Sequence, residues 1–172
     1  MNGFILILPI IFIRYGIVSL FGKQASKRTT FFPPRKGKEK LAYWIYEITT
    51  LLMIFVLFFN EVILNNAISF IGLAICFIGM ILYAISIVHF AKPNKNGLNI
   101  TGIYKISRNP MYIAFFLYFL GCSILIHSWI LFFILVIFQV SVHYLIISEE
   151  RWCIEQFGEE YIYYMKKVRR YI

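Results

Sequence analysis

Five long apolar runs, separated by short polar stretches, make up most of this chain. Phe4–Phe21, Tyr43–Phe59, Ala67–Phe90, Met111–Ile126 and Trp129–Ile147 carry too many consecutive apolar residues for strands. Each reads as a helix that crosses, or nearly crosses, a hydrocarbon core, which takes about 20 residues. The fourth run is the shortest, and its helix opens at Pro110, a residue suited to the first helical position. Only His127 and Ser128 stand between the fourth and fifth runs, so these two form a tight antiparallel hairpin. The other connectors are Gly22–Lys40, broken by Pro33-Pro34, then Asn60–Asn66 and Ala91–Pro110. From Ser148 the chain turns strongly charged. Gly158 divides this last part into a helical stretch and a short amphipathic helix ending in Lys166 and Lys167, suited to lie on headgroups or to fold as a lid. The first run has neither a basic leader nor a small-residue cleavage site and reads as a retained helix. The pattern therefore predicts an all-α, polytopic membrane protein. Residues 1–172 form one domain with about five transmembrane helices and a cytoplasmic, amphipathic C-terminal segment.

Composition agrees: 60% of the 172 residues are hydrophobic and 19% aromatic, more apolar surface than a soluble domain of this size can bury. Charge adds orientation. Every Lys and Arg except Arg14 falls in Gly22–Lys40, Ala91–Pro110 or the tail after Ser148, while the two remaining connectors contain none. With five spans those three segments share one side, which the positive-inside rule makes cytoplasmic, leaving the N-terminus outside. The same placement assigns the net charge of +9 to a membrane surface rather than to nucleic acid. Cys76, Cys122 and Cys153 are scattered, without disulfide or metal spacing, and read as packing residues, so no metal site is expected. The absence of a targeting signal fits the cell membrane of a prokaryote. Arg14 lies about 10 Å inside the first span. Glu47 enters the second span from the same side at similar depth, so either the two pair or Arg14 snorkels to the headgroups.

The candidate chemistry sits in Thr101–Tyr112, the most polar interval between two apolar runs. Gly102 permits a tight turn. Asn109 before Pro110 is biased away from helix, and the free N–H groups at the helix start, beside Arg108, suit an anionic ligand group. Tyr104 and Tyr112 add aromatic faces and hydroxyls. Glu149 and Glu150 follow the fifth run directly, and acidic residues contribute little to topology. The hairpin brings its ends together, so Arg108–Tyr112 and Glu149-Glu150 meet at one face, able to hold a ligand with cationic and anionic parts. The plainer reading makes the loop a topological anchor and the carboxylates a solvated helix turn.

Gly-Ile-Tyr at 102–104, Arg-Asn-Pro-Met-Tyr at 108–112, Glu149-Glu150, Phe-Gly-Glu-Glu-Tyr at 157–161 and the closing Val-Arg-Arg at 168–170 resemble a known signature in order and spacing. It is that of the integral-membrane methyltransferases of the isoprenylcysteine carboxyl methyltransferase and phospholipid N-methyltransferase group. The resemblance covers about residues 96–172. It implies S-adenosyl-L-methionine bound at the cytoplasmic face, S-adenosyl-L-homocysteine as product, and a lipid or lipophilic small-molecule acceptor reached from the bilayer. It implies Gly102, Tyr104, Arg108, Asn109, Pro110, Tyr112, Glu149 and Glu150 as cofactor-binding residues, with Arg108, Asn109 and Glu150 catalytic. Asn109 stands where the isoprenylcysteine enzymes usually have His, which favours a lipid amine or another small lipophilic acceptor over a prenylcysteine carboxylate. Two alternatives remain: an NADPH-dependent membrane sterol or steroid reductase, whose family has a similar Arg-His-Pro-x-Tyr loop, and a non-catalytic lipid-binding scaffold.

Overall fold

The computed structural model describes residues 1–29, 31, 33–94 and 96–172, with only the backbone at Gln24 and Thr29. Lys95, counted above toward the orientation, lies outside the described residues. Among these residues every regular element is helical, apart from one isolated bridge between Asn2 and Glu61. The first apolar run is a continuous rod, Gly3–Leu20. It is built from a 3-10 turn (Gly3–Leu6), α1 (Ile7–Ile11), a π-helical stretch (Phe12–Ile17) and α2 (Val18–Leu20). After it come α3 (Gly22–Thr29), α4 (Lys38–Phe58), α5 (Ala67–Ala91), a 3-10 turn (Gly102–Lys105), α6 (Pro110–Leu125), α7 (Trp129–Phe157) and α8 (Glu159–Lys167). The rod, α4, α5 and α7 are long and apolar enough to cross a membrane, and α6 is a shorter apolar helix.

Two elements differ from the sequence reading. The polar stretch after the rod opens as a helix, α3: Gly22 breaks the rod at φ 82°, and the following Lys, Gln, Ala and Arg residues are strong helix formers. The fifth run does not stop where its apolar residues stop. α7 continues as helix through Ser148–Phe157 until Gly158 ends it at φ 53°. Glu149, Glu150 and Arg151 thus stand on the same continuous helix as the fifth apolar run.

The closest packing is between α5 and α6. A Cβ on Gly121 would lie 2.6 Å from both the Cys76 amide nitrogen and the Gly72 carbonyl oxygen, and one on Gly79 would lie 2.5 Å from the Tyr118 nitrogen. In lipid, where apolar transfer does not drive pairing, such backbone approach is what helix association rests on. α6 reverses into α7 through His127, at φ 49°, and Ser128, whose hydroxyl accepts from the Leu131 amide at 3.2 Å. α4 lies against α7 and the rod against α5. Met53, Leu57, Ile87, Tyr118, Leu125 and Phe138 fill the centre, while Trp44, Phe55, Phe70, Trp129 and Phe133 point outward, as a lipid-facing surface requires. At one end of the bundle Gly3 donates to the Asn60 carbonyl at 2.8 Å, Val62 to Met1 at 2.7 Å and Ile63 to Leu125 at 2.9 Å. That end gathers the connectors without Lys or Arg.

Arg14 bonds Tyr83, and Glu47 bonds the Tyr43 hydroxyl. The ion pairs among the described residues are Arg108–Glu150, Arg151–Glu39 and Arg170–Glu150, and the expected Arg14–Glu47 pair is not one of them.

The glycine contacts predict that Gly121→Val lowers the unfolding free energy by about 1–3 kcal/mol through overpacking against backbone. Gly16→Ala, whose nearest neighbours are Phe12 ring atoms at 3.6 Å, leaves it nearly unchanged. Thermal unfolding of the two variants in detergent checks both.

Candidate functional site

The two feet of the α6–α7 hairpin meet. Pro110 opens α6, and Tyr112, in the first turn, donates its hydroxyl to Glu149 Oε1 at 2.7 Å across the hairpin. Glu150, one residue on, turns elsewhere. Its carboxylate accepts from Arg108 Nε at 3.0 Å and Nη2 at 2.8 Å, and from Arg170 Nε at 3.0 Å and Nη2 at 2.6 Å. It is 4% exposed, and an ionised carboxylate so far from water persists only when paired and hydrogen-bonded. The Arg108 guanidinium also donates to the Met165 and Val168 carbonyls at 2.9 and 3.1 Å. The Asn109 amide donates to the Arg170 carbonyl at 3.1 Å. The loop before α6 is therefore bound to the C-terminal tail by both side chains and backbone, the Arg108 N–H reaching the Arg169 carbonyl at 3.0 Å.

The tail brings α8 back over the site. Tyr161 and Tyr164 are buried against Leu98, and the Tyr164 hydroxyl donates to the Tyr104 carbonyl at 2.6 Å. These aromatics face the protein, as a lid would place them, whereas Tyr163 is exposed. Beneath them is a cavity of about 500 Å³, within the range of small-molecule sites. Tyr104, Arg108, Asn109, Tyr112, Glu149 and Glu150 of the sequence-predicted set line it. Gly102 and Pro110 do not. Gly102, at φ 59°, leaves the space taken by His89, since a Cβ there would meet the imidazole at 2.1 Å. Pro110 starts α6.

A second cavity of about 200 Å³ shares a wall with the first: Arg28, Phe31, Phe90, Met111, Tyr112, Glu149, Trp152 and Cys153 border both. It runs into the apolar bundle toward Arg14, Tyr46, Tyr83, Phe115 and Phe138. The Tyr112–Glu149 bond stands in the wall between the two chambers.

Two buried polar atoms in the outer chamber, Tyr104 Oη and Asn99 Oδ1, have no hydrogen-bond partner among the described residues. Unpaired groups of this kind are costly, so these atoms are open to hydrogen-bond with a polar ligand or an ordered water. Burial pushes the Tyr104 phenol well above its ordinary range, keeping it protonated and able to donate. Arg28 and Asn99 escaped the sequence reading. Arg28 lies over the Phe90 ring at 5.2 Å and donates to the Gly97 carbonyl at 2.9 Å, which brings a guanidinium from the first basic segment to the site. No local motif announced it; only its place in a helix-forming stretch beside the rod did.

The sequence profile of the phospholipid methyltransferase family matches residues 68–160, just over half of the chain. Over 81 residues the chain is 37% identical to the protein-S-isoprenylcysteine O-methyltransferase of Schizosaccharomyces pombe, a match covering 45% of this chain and 34% of that protein.

The clamp carries a stability prediction. Glu150→Ala leaves Arg108 uncompensated in a buried setting and lowers stability by about 3–5 kcal/mol. Arg170→Ala, at a side chain 32% exposed, costs clearly less. Chemical denaturation of both variants gives the ranking.

Proposed function

Since the chain belongs to the phospholipid methyltransferase family, we propose that it transfers a methyl group from S-adenosylmethionine to an amine on a lipid-like acceptor in the membrane. The supporting observation is the pair of chambers that share the Tyr112–Glu149 wall, one closed over by α8 and one reaching into the apolar bundle.

The outer chamber fits the cofactor. Tyr104 Oη and Asn99 Oδ1 offer unused polar atoms, Arg28 and Lys27 offer cations for a carboxylate, and Glu149 offers a carboxylate for positive charge. When bound, S-adenosylmethionine supplies an electrophilic methyl group on a sulfonium. The residues around it bind, orient and exclude water. Phe115, Phe138 and Ile87 keep the inner chamber apolar, so an acceptor there is held away from competing solvent. Glu149 lies where the chambers meet: it attracts an ammonium from the inner side and takes the proton that the amine sheds to become a nucleophile. Tyr112 fixes the orientation of that carboxylate through its hydroxyl. Glu150 and Arg108, although they border the cavity, act here by holding the loop and tail in place. On this reading they are positioning residues.

Glu149→Gln keeps the shape and an oxygen for Tyr112 but cannot accept the proton, so methyl transfer falls by about 10²–10⁴-fold. The companion measurement is thermal stabilisation of the detergent-purified protein by S-adenosylhomocysteine, with NADPH in parallel; a ligand that binds only the folded state raises the midpoint. A shift with S-adenosylhomocysteine and loss of transfer in Glu149→Gln is the expected pair. A shift with NADPH alone turns the reading to a reductase, and no shift with either turns it to a scaffold.

A further inference from the structure

We propose that Arg14 selects the acceptor: its guanidinium binds an anionic oxygen group, phosphate or carboxylate, that the acceptor carries close to the atom to be methylated. The inference rests on the inner chamber being the acceptor site.

Arg14 is out of place by every topological criterion. It is the one basic residue of the sequence outside the three basic segments. It stands inside a predominantly apolar rod, about three turns from that rod's start. An ionisable group at such depth is costly to keep and is by default a functional candidate. Its side chain borders the inner chamber and not the outer one. The backbone that carries it departs from the regular helix: Phe12–Ile17 is π-helical, a form rare in proteins and frequent at functional sites.

The surroundings define what the guanidinium can hold. Tyr83 of α5 hydrogen-bonds it, and Tyr46 of α4 borders the same chamber, so phenol side chains stand around it. A guanidinium has five N–H donors in a planar fork, enough to serve Tyr83 and a two-oxygen anionic group together. Glu149 borders the same chamber, so its lining offers one group that attracts an anion and one that attracts a cation, while Phe115, Phe138 and Ile87 add apolar contact. An acceptor bearing an ammonium and an anionic group on a lipid tail matches that arrangement. Arg14 also lies outside the 68–160 region that matches the family profile, so this anchor is a property of the chain's own first span.

The test compares three probes on the full-length protein in detergent. Lysophosphatidylethanolamine carries an amine and a phosphate, farnesylcysteine an amine and a carboxylate, and octadecylamine an amine alone. Binding is read by thermal stabilisation, and KM and kcat by methyl transfer from S-adenosylmethionine. The wild-type protein is expected to bind at least one anionic probe about 10–100-fold more tightly than octadecylamine, the span that a buried charged hydrogen bond provides. Which anionic probe wins identifies the source of the group. Arg14→Gln brings the ratio close to one and acts on KM, whereas Arg14→Lys, which keeps the charge without the fork, restores part of it. Should Arg14→Gln not fold, the same ratio is read on Arg14→Lys, where a fall below the wild-type ratio supports the proposal and an unchanged ratio overturns it. The proposal is also overturned if the wild type shows no preference, or if Arg14→Gln keeps it while still binding S-adenosylhomocysteine. Failure of the wild type to bind S-adenosylhomocysteine refutes the methyltransferase reading instead, and the probe ratio by thermal shift still decides on Arg14.

Discussion

Glu150 holds Arg108 and Arg170 at once, and the whole basic end of the molecule takes its shape from that arrangement. The three residues belong to the loop before α6, to α7 and to the tail after α8. A carboxylate taken out of water needs both guanidiniums, so the segments carrying them are drawn to a single point. Once Arg170 is there, the tail runs alongside Ser107, Arg108 and Asn109, and its carbonyls satisfy their donors. The closure of α8 over the cavity follows, because the helix is anchored at Gly158 on one side and at Arg170 on the other. The burial of Tyr161 and Tyr164 against Leu98 fixes α8 in that position.

Adjacent carboxylates on one helix cannot do the same work. Successive residues point about 100° apart around the axis, so while Glu150 faces the loop and the tail, Glu149 faces Tyr112 and the chambers. A pair that reads as one acidic motif divides into a member held by two arginines and a member bonded to Tyr112 at the wall of both chambers. The helical continuation of α7 beyond its apolar stretch makes this division rigid.

Much of this was legible in the sequence, and the limits have physical causes. The apolar runs marked the membrane helices, the two-residue link marked the hairpin, and the hairpin forced Tyr112 and Glu149 together. These are local or topological facts. Which carboxylate pairs with which arginine depends on where the tail returns, and no spacing encodes that. The Arg151–Glu39 pair, closed by Glu39 accepting the Lys36 amide at 2.7 Å, joins α7 to the start of α4 across a separation that no pattern reveals. α3 was hidden because its polar residues look like a connector, although their helix propensity favours order. Gly102 reads as a turn residue, and at φ 59° it is one; that the His89 imidazole fills the space a Cβ would take is a long-range fact that no spacing encodes.

The glycine-mediated contact of α5 with α6 has a mechanical consequence. Backbone against backbone leaves no side chain to rotate, so that side of the bundle resists shear as a stiff plate. Tyr83 and Ile87 of α5 and Met111, Tyr112 and Phe115 of α6 border the inner chamber. That face of the chamber is therefore built on the plate, and the foot of the hairpin that bears Tyr112 is carried on it.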